Sequence, residues 1–143
     1  MNEVESNGGV SGTSRKIKWA VAAFFAAVVA VAVMNLPRGY SDDLSRIGQG
    51  RTAVVLVRDK NALESMDLMN VVNGIRDQYA GRVVFLLTDY DTPEGRAFIA
   101  ANKAARITLV LFDPRGKPVK VLTAPQTAAD VEKAINSITG ASA

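Results

Sequence analysis

The run Thr52–Val57, which reads T-A-V-V-L-V, limits the folds open to this chain more than any other stretch. Its five consecutive apolar residues leave no polar face, so a strand formed here must be buried on both sides. Central strands of sheets that are covered by helices have this pattern. The polar residues that follow, Arg58 to Asn61, lead into a predicted helix. Because binding sites in open α/β sheets gather where a strand ends, functional residues are first sought at this junction.

Cysteine and histidine are both absent from the 143 residues. Without Cys the chain has no disulfide, no thiol catalysis and no thiolate metal site. Without His it has no imidazole base, which excludes serine triads and the common zinc and haem sites. We therefore assign no catalytic residue, no cofactor and no metal ligand. An enzyme of this composition would have to use carboxylates, Lys, Tyr or a cofactor supplied by a partner.

The formal net charge of +3 does not indicate a nucleic-acid-binding protein. Residues 37–143 carry 14 Lys+Arg and 12 Asp+Glu, with both signs interspersed. A nucleic-acid-binding surface needs a basic stripe, commonly with interleaved aromatic residues, and none is present. We expect no nucleic-acid partner and interpret the charge as ordinary solvated surface.

Sixteen uninterrupted apolar residues, Trp19 to Met34, follow the cations Arg15, Lys16 and Lys18. A helix over residues 19–36 would be about 27 Å long, which is just sufficient to cross the hydrocarbon core. The cations before it predict a single-pass protein of the cytoplasmic membrane, with the N-terminus in the cytoplasm and the remainder in the periplasm. The lipid bilayer is thus an expected partner. The predicted organisation is a disordered tail over 1–18, a transmembrane helix over 19–36, a connector over 37–50 and a folded domain over 51–140.

Two other interpretations of the apolar segment stay open. A cleaved signal peptide has the same charged start and apolar run, and Ala30-Val31-Ala32 resembles its cleavage site. Either this peptide or a retained helix would send residues 37–143 across the membrane. The segment as a buried helix of a soluble protein is disfavoured, because an apolar surface all round needs a larger protein to bury it.

The remaining elements are predicted in the order β-α-β-α-β-β-α. In the connector, Ser41 is expected to cap a short helical turn. The first domain helix is expected to start with a capping box at Asn61–Glu64 and to run to about Tyr79. Its predicted core stripe is Met66, Met69, Val72, Ile75 and Tyr79. Later predictions are strands at 82–87, 107–112 and 119–122, a helix from Pro93 capped by Thr92, a turn at 113–116, and a helix from Thr127 to Gly140.

Taken together, Arg51–Ile138 resembles a thioredoxin-fold domain. The matching segments are T-A-V-V-L-V, I-R-D-Q-Y-A-G-R-V-V-F-L-L-T-D and L-V-L-F-D-P-R-G-K-P-V. The last segment is similar to that of membrane-anchored, extracytoplasmic thioredoxin-like proteins. The resemblance implies an α/β fold with a mixed four-stranded sheet and three flanking helices, in which the strands at 52–57 and 107–112 are central neighbours.

The functional signature of that family is missing here. The resemblance places its Cys-x-x-Cys pair on Ala62 and Ser65, and its cis-proline on Ile107. A cis peptide before a residue other than proline costs about 3 kcal/mol, so the Arg106–Ile107 peptide is expected to be trans. The resemblance therefore favours a redox-inactive member of the fold and argues against the family's chemistry.

Two functions from different classes follow. The first is a non-catalytic, membrane-tethered module that binds or helps assemble a protein partner or membrane complex. The alternative is an exported enzyme or carrier that uses the same cleft without thiols, with a metal or cofactor supplied by a partner. The partner surface implied by the resemblance consists of Arg58, Asp59, Ala62, Ser65, Arg106 and Ile107.

Functional roles for three other groups of residues are disfavoured. Asp89, Asp91 and Glu94 have the oxygen ligands of a Ca²⁺ or Mg²⁺ site, but loop polarity and helix capping explain them better. Met66 and Met69 carry thioethers suited to Cu(I), but methionines on a helical stripe usually pack in a core. The cations around residues 113–120 are expected to protect an exposed sheet edge.

Overall fold

The computed structural model describes residues 11–35 and 39–140, and it divides the chain into two compact units, Met1–Gly39 and Tyr40–Ala143. The described part of the first unit is one helix, α1 (Ser11–Asn35). Its stretch Arg15–Val33 has a mean hydropathy of 1.9 and no buried portion. A helix of this length and composition is able to cross a membrane, and a signal sequence near an N-terminus meets the same criterion. The helix begins within the predicted tail, while residues 1–10 of that tail and residue 36 of the predicted span lie outside the described part.

The second unit contains four strands and three helices. A 3₁₀ turn at Leu44–Arg46 precedes the first strand, and a second one at Arg76–Tyr79 extends the first helix. In chain order the elements are β1 (Thr52–Arg58), α2 (Leu63–Ile75), β2 (Val83–Asp89), α3 (Pro93–Asn102), β3 (Thr108–Phe112), β4 (Pro118–Thr123) and α4 (Ala128–Thr139).

The strands form one mixed sheet in the order β2-β1-β3-β4. β1 pairs with β2 in parallel, with Thr52 opposite Val83, and pairs with β3 in antiparallel fashion, with Val55 opposite Val110. β4 pairs with β3 at the free edge. The predicted α/β fold class, with β1 and β3 as central neighbours in a four-stranded sheet, is confirmed.

Both faces of the sheet are covered. The side chains of β1 alternate between two cores and are all buried until Arg58, as the apolar run predicted. On one face Val54 and Leu56 pack among buried residues of α2 and α4, such as Val72 and Ile135. On the other face α3 contributes Phe98, whose ring centroid lies 5.9 Å from that of Phe112.

The cap of α3 follows the sequence prediction, and the cap of α4 lies at its predicted start. The Thr92 side chain accepts a hydrogen bond from the Gly95 amide, and Pro93 occupies the first turn of α3. At α4, Thr127 and Asp130 form a reciprocal capping box. The carboxyl of Asp130 accepts bonds from the hydroxyl and amide of Thr127, which lower its pKa.

The predictions for α2 need three corrections. The helix starts with Ala62 as its N-cap and no side-chain cap, so the capping box at Asn61–Glu64 does not form. The α-helix ends at Ile75, and a 3₁₀ turn continues to Tyr79. The buried stripe contains Ser65 and Leu68, while Met66 is exposed and Met69 only partly buried. The helix is rotated relative to the prediction because Leu68 fits the same three-to-four spacing as Met69 and fills the core better.

The connector is built into the domain more tightly than the sequence suggested. Asp43, and not Ser41, caps the 3₁₀ turn through a bond from the Ser45 amide. Ser41 instead forms a parallel bridge to Leu86, where its carbonyl accepts a bond from the Leu87 amide at 2.9 Å. The connector thus covers part of the β2 edge at Ser41.

Candidate functional site

A buried carboxylate, Asp59, organises the junction where β1 ends and α2 begins. The residue is 4% exposed, and its amide donates to Ser65 Oγ at 3.0 Å. Asp59 Oδ1 accepts from the Asn61 amide at 2.9 Å, and its carbonyl accepts from the Ala62 amide at 3.2 Å. These bonds fix the loop that leads into α2, which explains why the helix starts without a side-chain cap of its own.

The segment before β3 supplies the opposite side of the site. Arg106 Nη1 lies 3.3 Å from Asp59 Oδ2, and its guanidinium stands 5.1 Å from the ring centroid of Tyr90. β3 is the neighbour of β1, so two segments far apart in sequence meet at one end of the sheet. Arg106 keeps 58% of its side chain exposed, and its charge is therefore accessible to a partner.

Ile107 has an unusual backbone conformation next to this ion pair. Its φ of 56° lies in the left-handed region, which is disfavoured for a β-branched residue. Its carbonyl accepts a bond from the Ala124 amide at 3.0 Å, and its side chain packs on the core. The Arg106–Ile107 peptide is trans, as expected, and the cis peptide among the described residues joins Ala124 and Pro125.

A second acidic residue, Asp89 at the end of β2, binds two cations of the site. Arg58 Nε lies 2.7 Å from Asp89 Oδ1, and Lys60 Nζ lies 2.8 Å from Oδ2. The hydrogen bond from Arg58 is the main reason that the pKa of Asp89 lies below its usual value, and the bond from Lys60 adds to it. Both carboxylate oxygens are therefore engaged by cations. Within residues 11–35 and 39–140, no group of three acidic, His or Cys side chains is placed to hold a metal ion.

The six residues of the expected partner surface lie together, but they do not all face solvent. Asp59 and Ser65 are buried and position their neighbours. Those with accessible side-chain surface are Arg58, Ala62, Arg106 and Ile107, of which only Arg106 is largely exposed.

Sequence reasoning missed two apolar side chains beside them. Leu63 is 75% exposed and Met66 57% exposed, one turn apart at the start of α2. The signal that would have found them is the alternative stripe of Leu68, Val72 and Ile75, which turns Leu63 and Met66 toward solvent.

Most polar groups at the β1–α2 junction are engaged with one another. Its hydroxyl, Ser65 Oγ, is buried and engaged by the Asp59 amide. Its carboxylates are paired with cations. What remains accessible is apolar surface at Leu63 and Met66, with the exposed parts of Lys60 and Arg106 at the same end of the sheet.

Solved structures share this architecture. A thioredoxin from Thermus thermophilus is 18% identical with a TM-score of 0.62, over 72% of this chain and 88% of that one. An uncharacterized thioredoxin-like protein from Clostridium perfringens is 12% identical with a TM-score of 0.62, over 69% and 79% of the two chains. A mutant thioredoxin from Halobacterium salinarum is 22% identical with a TM-score of 0.57, over 68% and 81%.

The domain has the thioredoxin fold. At these identities the similarity shows the fold and carries no activity over to this chain. No protein-family model matches the sequence, and no curated protein matches it either. Since this thioredoxin-like chain contains no cysteine, it has no thiol with which to exchange disulfides.

Proposed function

We propose that this chain is a non-catalytic binding module: a thioredoxin-like domain that holds or helps assemble a protein partner at a membrane. The observation that carries the proposal is the exposure of Leu63 and Met66 at the start of α2. We call the surface formed by Leu63 and Met66 the α2 entry patch.

The α2 entry patch has the composition of a binding surface. Burying a Leu or Met side chain gains about 1.5–3 kcal/mol, so two exposed neighbours form an effective anchor for a partner. Lys60 and Arg106 carry cations with 54% and 58% of their side chains exposed. Both cations are already paired, with Asp89 and Asp59, and Glu64 and Asp67 are exposed on the first turns of α2. A partner with an apolar centre would therefore complement this arrangement.

The position of the domain is part of the same proposal. Helix α1 supports a membrane tether, and the cations Arg15, Lys16 and Lys18 support an N-terminus in the cytoplasm with the domain in the periplasm. Protease added outside the cytoplasmic membrane should then digest loops of the domain and spare α1. Protection of the domain from that protease would contradict the orientation.

Site-specific crosslinking tests the partner surface. A photo-crosslinking residue at Leu63 of the full chain in intact membranes should yield a discrete adduct, and Met66→Asp should abolish it. The matched control is Val119→Asp, which places a charge at a comparably exposed valine on the β4 edge. The proposal is wrong if Met66→Asp leaves the adduct unchanged, or if Val119→Asp removes it as completely.

The enzyme-or-carrier alternative draws no support from the described residues. Ser65, the hydroxyl closest to the junction, is 1% exposed and already bonded. A reaction here would depend on the accessible Lys60 or on a metal or cofactor supplied by a partner.

A further inference from the structure

A second concave surface lies at the end of the sheet opposite Asp59. β1 and β2 begin side by side there, and the last turn of α4 closes the third side of a cleft of about 520 Å³. The seven residues of β1 separate it from the α2 entry patch by about 20 Å. Nothing in the proposed function uses this cleft.

Two guanidinium groups line the cleft next to each other. The parallel register that places Thr52 opposite Val83 brings Arg51 and Arg82, the residues just before them, alongside. Arg82 is held in place, since its Nη2 donates to the Gln78 carbonyl at 3.0 Å and its guanidinium lies 5.4 Å from the Tyr79 ring centroid.

Among residues 39–140, no carboxylate forms an ion pair with either cation; Glu132, which acts on the same Tyr79 hydroxyl as Arg82, accepts a bond from Gln78 and does not line the cleft. The residues that line the cleft include no Asp or Glu. Within the described ranges the acidic partners within 4 Å of a cation all belong to Arg58, Lys60 and Arg106, at the far end of the sheet. Two arginines side by side without a counter-charge repel each other, and an anion between them removes that repulsion.

Neutral hydrogen-bonding groups complete the lining. Thr52 and Asn136 add one hydroxyl and one amide, while the Thr139 hydroxyl is already donated to the Ile135 carbonyl at 3.1 Å. Tyr79 donates its hydroxyl proton to Asn136 Oδ1 at 3.1 Å, which leaves the amide nitrogen of Asn136 as a donor. The carbonyls at the end of α4 oppose an anion, but they carry only about half a negative charge against two whole positive charges.

We propose that this cleft binds a phosphate-bearing anion between Arg51 and Arg82. A guanidinium offers two parallel N–H donors, so two of them with an added amide suit an anion with more than two acceptor oxygens. A phosphate monoester, with three non-bridging oxygens, fits best, whereas a phosphodiester and a carboxylate, with two each, use only part of the donor set. The phosphate belongs either to the headgroup of a lipid or to a soluble phosphate ester.

Calorimetric titration of the full chain in neutral detergent micelles tests the site. The probes are inorganic phosphate, glycerol phosphate as a monoester, and glycerophosphoglycerol as a soluble form of a phosphodiester lipid headgroup. Removing one of the two guanidiniums in Arg51→Gln or Arg82→Gln should weaken binding about tenfold. Arg96→Gln is the matched control, because Arg96 lies on α3, donates to the Asp91 carbonyl and does not line the cleft.

The relative affinities of the probes distinguish the two sources of phosphate, and the variants test the site itself. Tighter binding of the monoester than of the diester supports a soluble phosphate ester, and the reverse order supports a lipid headgroup. Arg82→Lys should retain part of the affinity, since lysine keeps the positive charge but lacks the two parallel N–H donors of a guanidinium. The proposal is overturned if none of the three probes binds, or if Arg51→Gln and Arg96→Gln bind them equally well. Arg51→Gln breaks none of the ion pairs of the described domain, so a loss of binding in this variant is not explained by a lost ion pair.

Discussion

Gly95, in the first turn of α3, lies directly against the end of β2. A Cβ atom at this position would overlap the carbonyl oxygen of Asp89, which also accepts a hydrogen bond from Thr92 Oγ1 at 2.8 Å. The helix therefore approaches the strand as closely as backbone allows. This contact fixes the position of Asp89, and through it the two cations Arg58 and Lys60.

Gly95→Ala should lower the free energy of unfolding by about 1–3 kcal/mol, because α3 or the end of β2 must move to admit the methyl group. Gly74→Ala is the matched control. Gly74 lies inside α2 with nothing near its Cβ position, so alanine there should raise stability by about 0.5–1 kcal/mol. Chemical unfolding followed by far-ultraviolet circular dichroism measures both changes. Equal effects of the two substitutions would contradict the close approach at Gly95.

The Asp89 carboxylate links stability to pH. Its pKa is lowered in the folded state, mainly by the hydrogen bond from Arg58. Its contribution is fully present above the unfolded value of about 3.9 and is lost as the pH falls through the lower folded value. Asp89→Asn should cost about 1–2 kcal/mol at neutral pH, since an amide keeps the shape but not the charge.

The pH profile distinguishes lost charge from lost packing. In Asp89→Asn the free energy of unfolding should fall less steeply than in the wild type as the pH is lowered from about 4. Asp91→Asn, which changes an exposed carboxyl outside the described ion pairs, should keep the wild-type slope. An unaltered acid slope in Asp89→Asn would rule out the pairing as its source.

At the scale of elements, the β1–α2 junction depends on one buried hydroxyl. Ser65 Oγ accepts the Asp59 amide proton at 3.0 Å, and both residues are buried. Ser65→Ala leaves that amide without a partner, which costs about 1–3 kcal/mol. Ser137→Ala is the control, because Ser137 is exposed and its hydroxyl donates to a carbonyl of its own helix, that of Ala134. The loss of this bond should stay within about 0.5 kcal/mol.

Hydrogen exchange locates the effect of Ser65→Ala. The amides at the start of α2 should exchange faster in the variant, while those of α4 keep their protection. A uniform loss of amide protection over the domain would mean that Ser65 stabilises the whole core and does not act specifically at this junction.

The elements differ in how far their sequence predicts them. The apolar run of β1 predicts a strand buried on both faces, and the structure confirms this prediction. The capping residue Thr92 acts locally and was predicted from the sequence, as was the start of α4 at Thr127. For α2, however, Met66 and Leu68 both fit the helical spacing, and only packing against β1 and β3 decides between them.

The candidate site was predictable to the extent that it depends on adjacent strands. Placing β3 beside β1 already brings Arg106 near Asp59, so the resemblance gave the right neighbourhood. The pairing of Asp89 with Arg58 and Lys60 depends on side-chain reach across β1 and β2, which no sequence spacing encodes. The paired arginines of the second cleft follow from the exact register of those strands, which only the structure provides.

At the scale of the whole molecule, α1 and the domain place their apolar residues in opposite ways. The domain buries nearly all of its large apolar side chains, whereas Trp19, Phe24 and Phe25 of α1 are each about 70% exposed or more. A helix that is apolar all round and exposed needs a nonaqueous surrounding. A bilayer supplies one, and this is the physical argument for the tether in the proposed function.

Ala26→Arg tests that argument at the centre of the apolar run. A cation at mid-bilayer costs about 2.5–3.5 kcal/mol on the insertion scale, enough to impair anchoring of a segment with seven alanines among its sixteen apolar residues. Ala20→Arg is the control, because it lies two residues after Lys18 and its side chain reaches the interface at little cost. We expect alkaline carbonate to extract the Ala26→Arg chain from membranes and to leave the wild type and Ala20→Arg behind.

Mass spectrometry of the mature wild-type chain should also find peptides upstream of Ala32. A mature chain beginning near Val33 would instead identify the segment as a signal peptide, and the tether would be wrong even if the domain is exported.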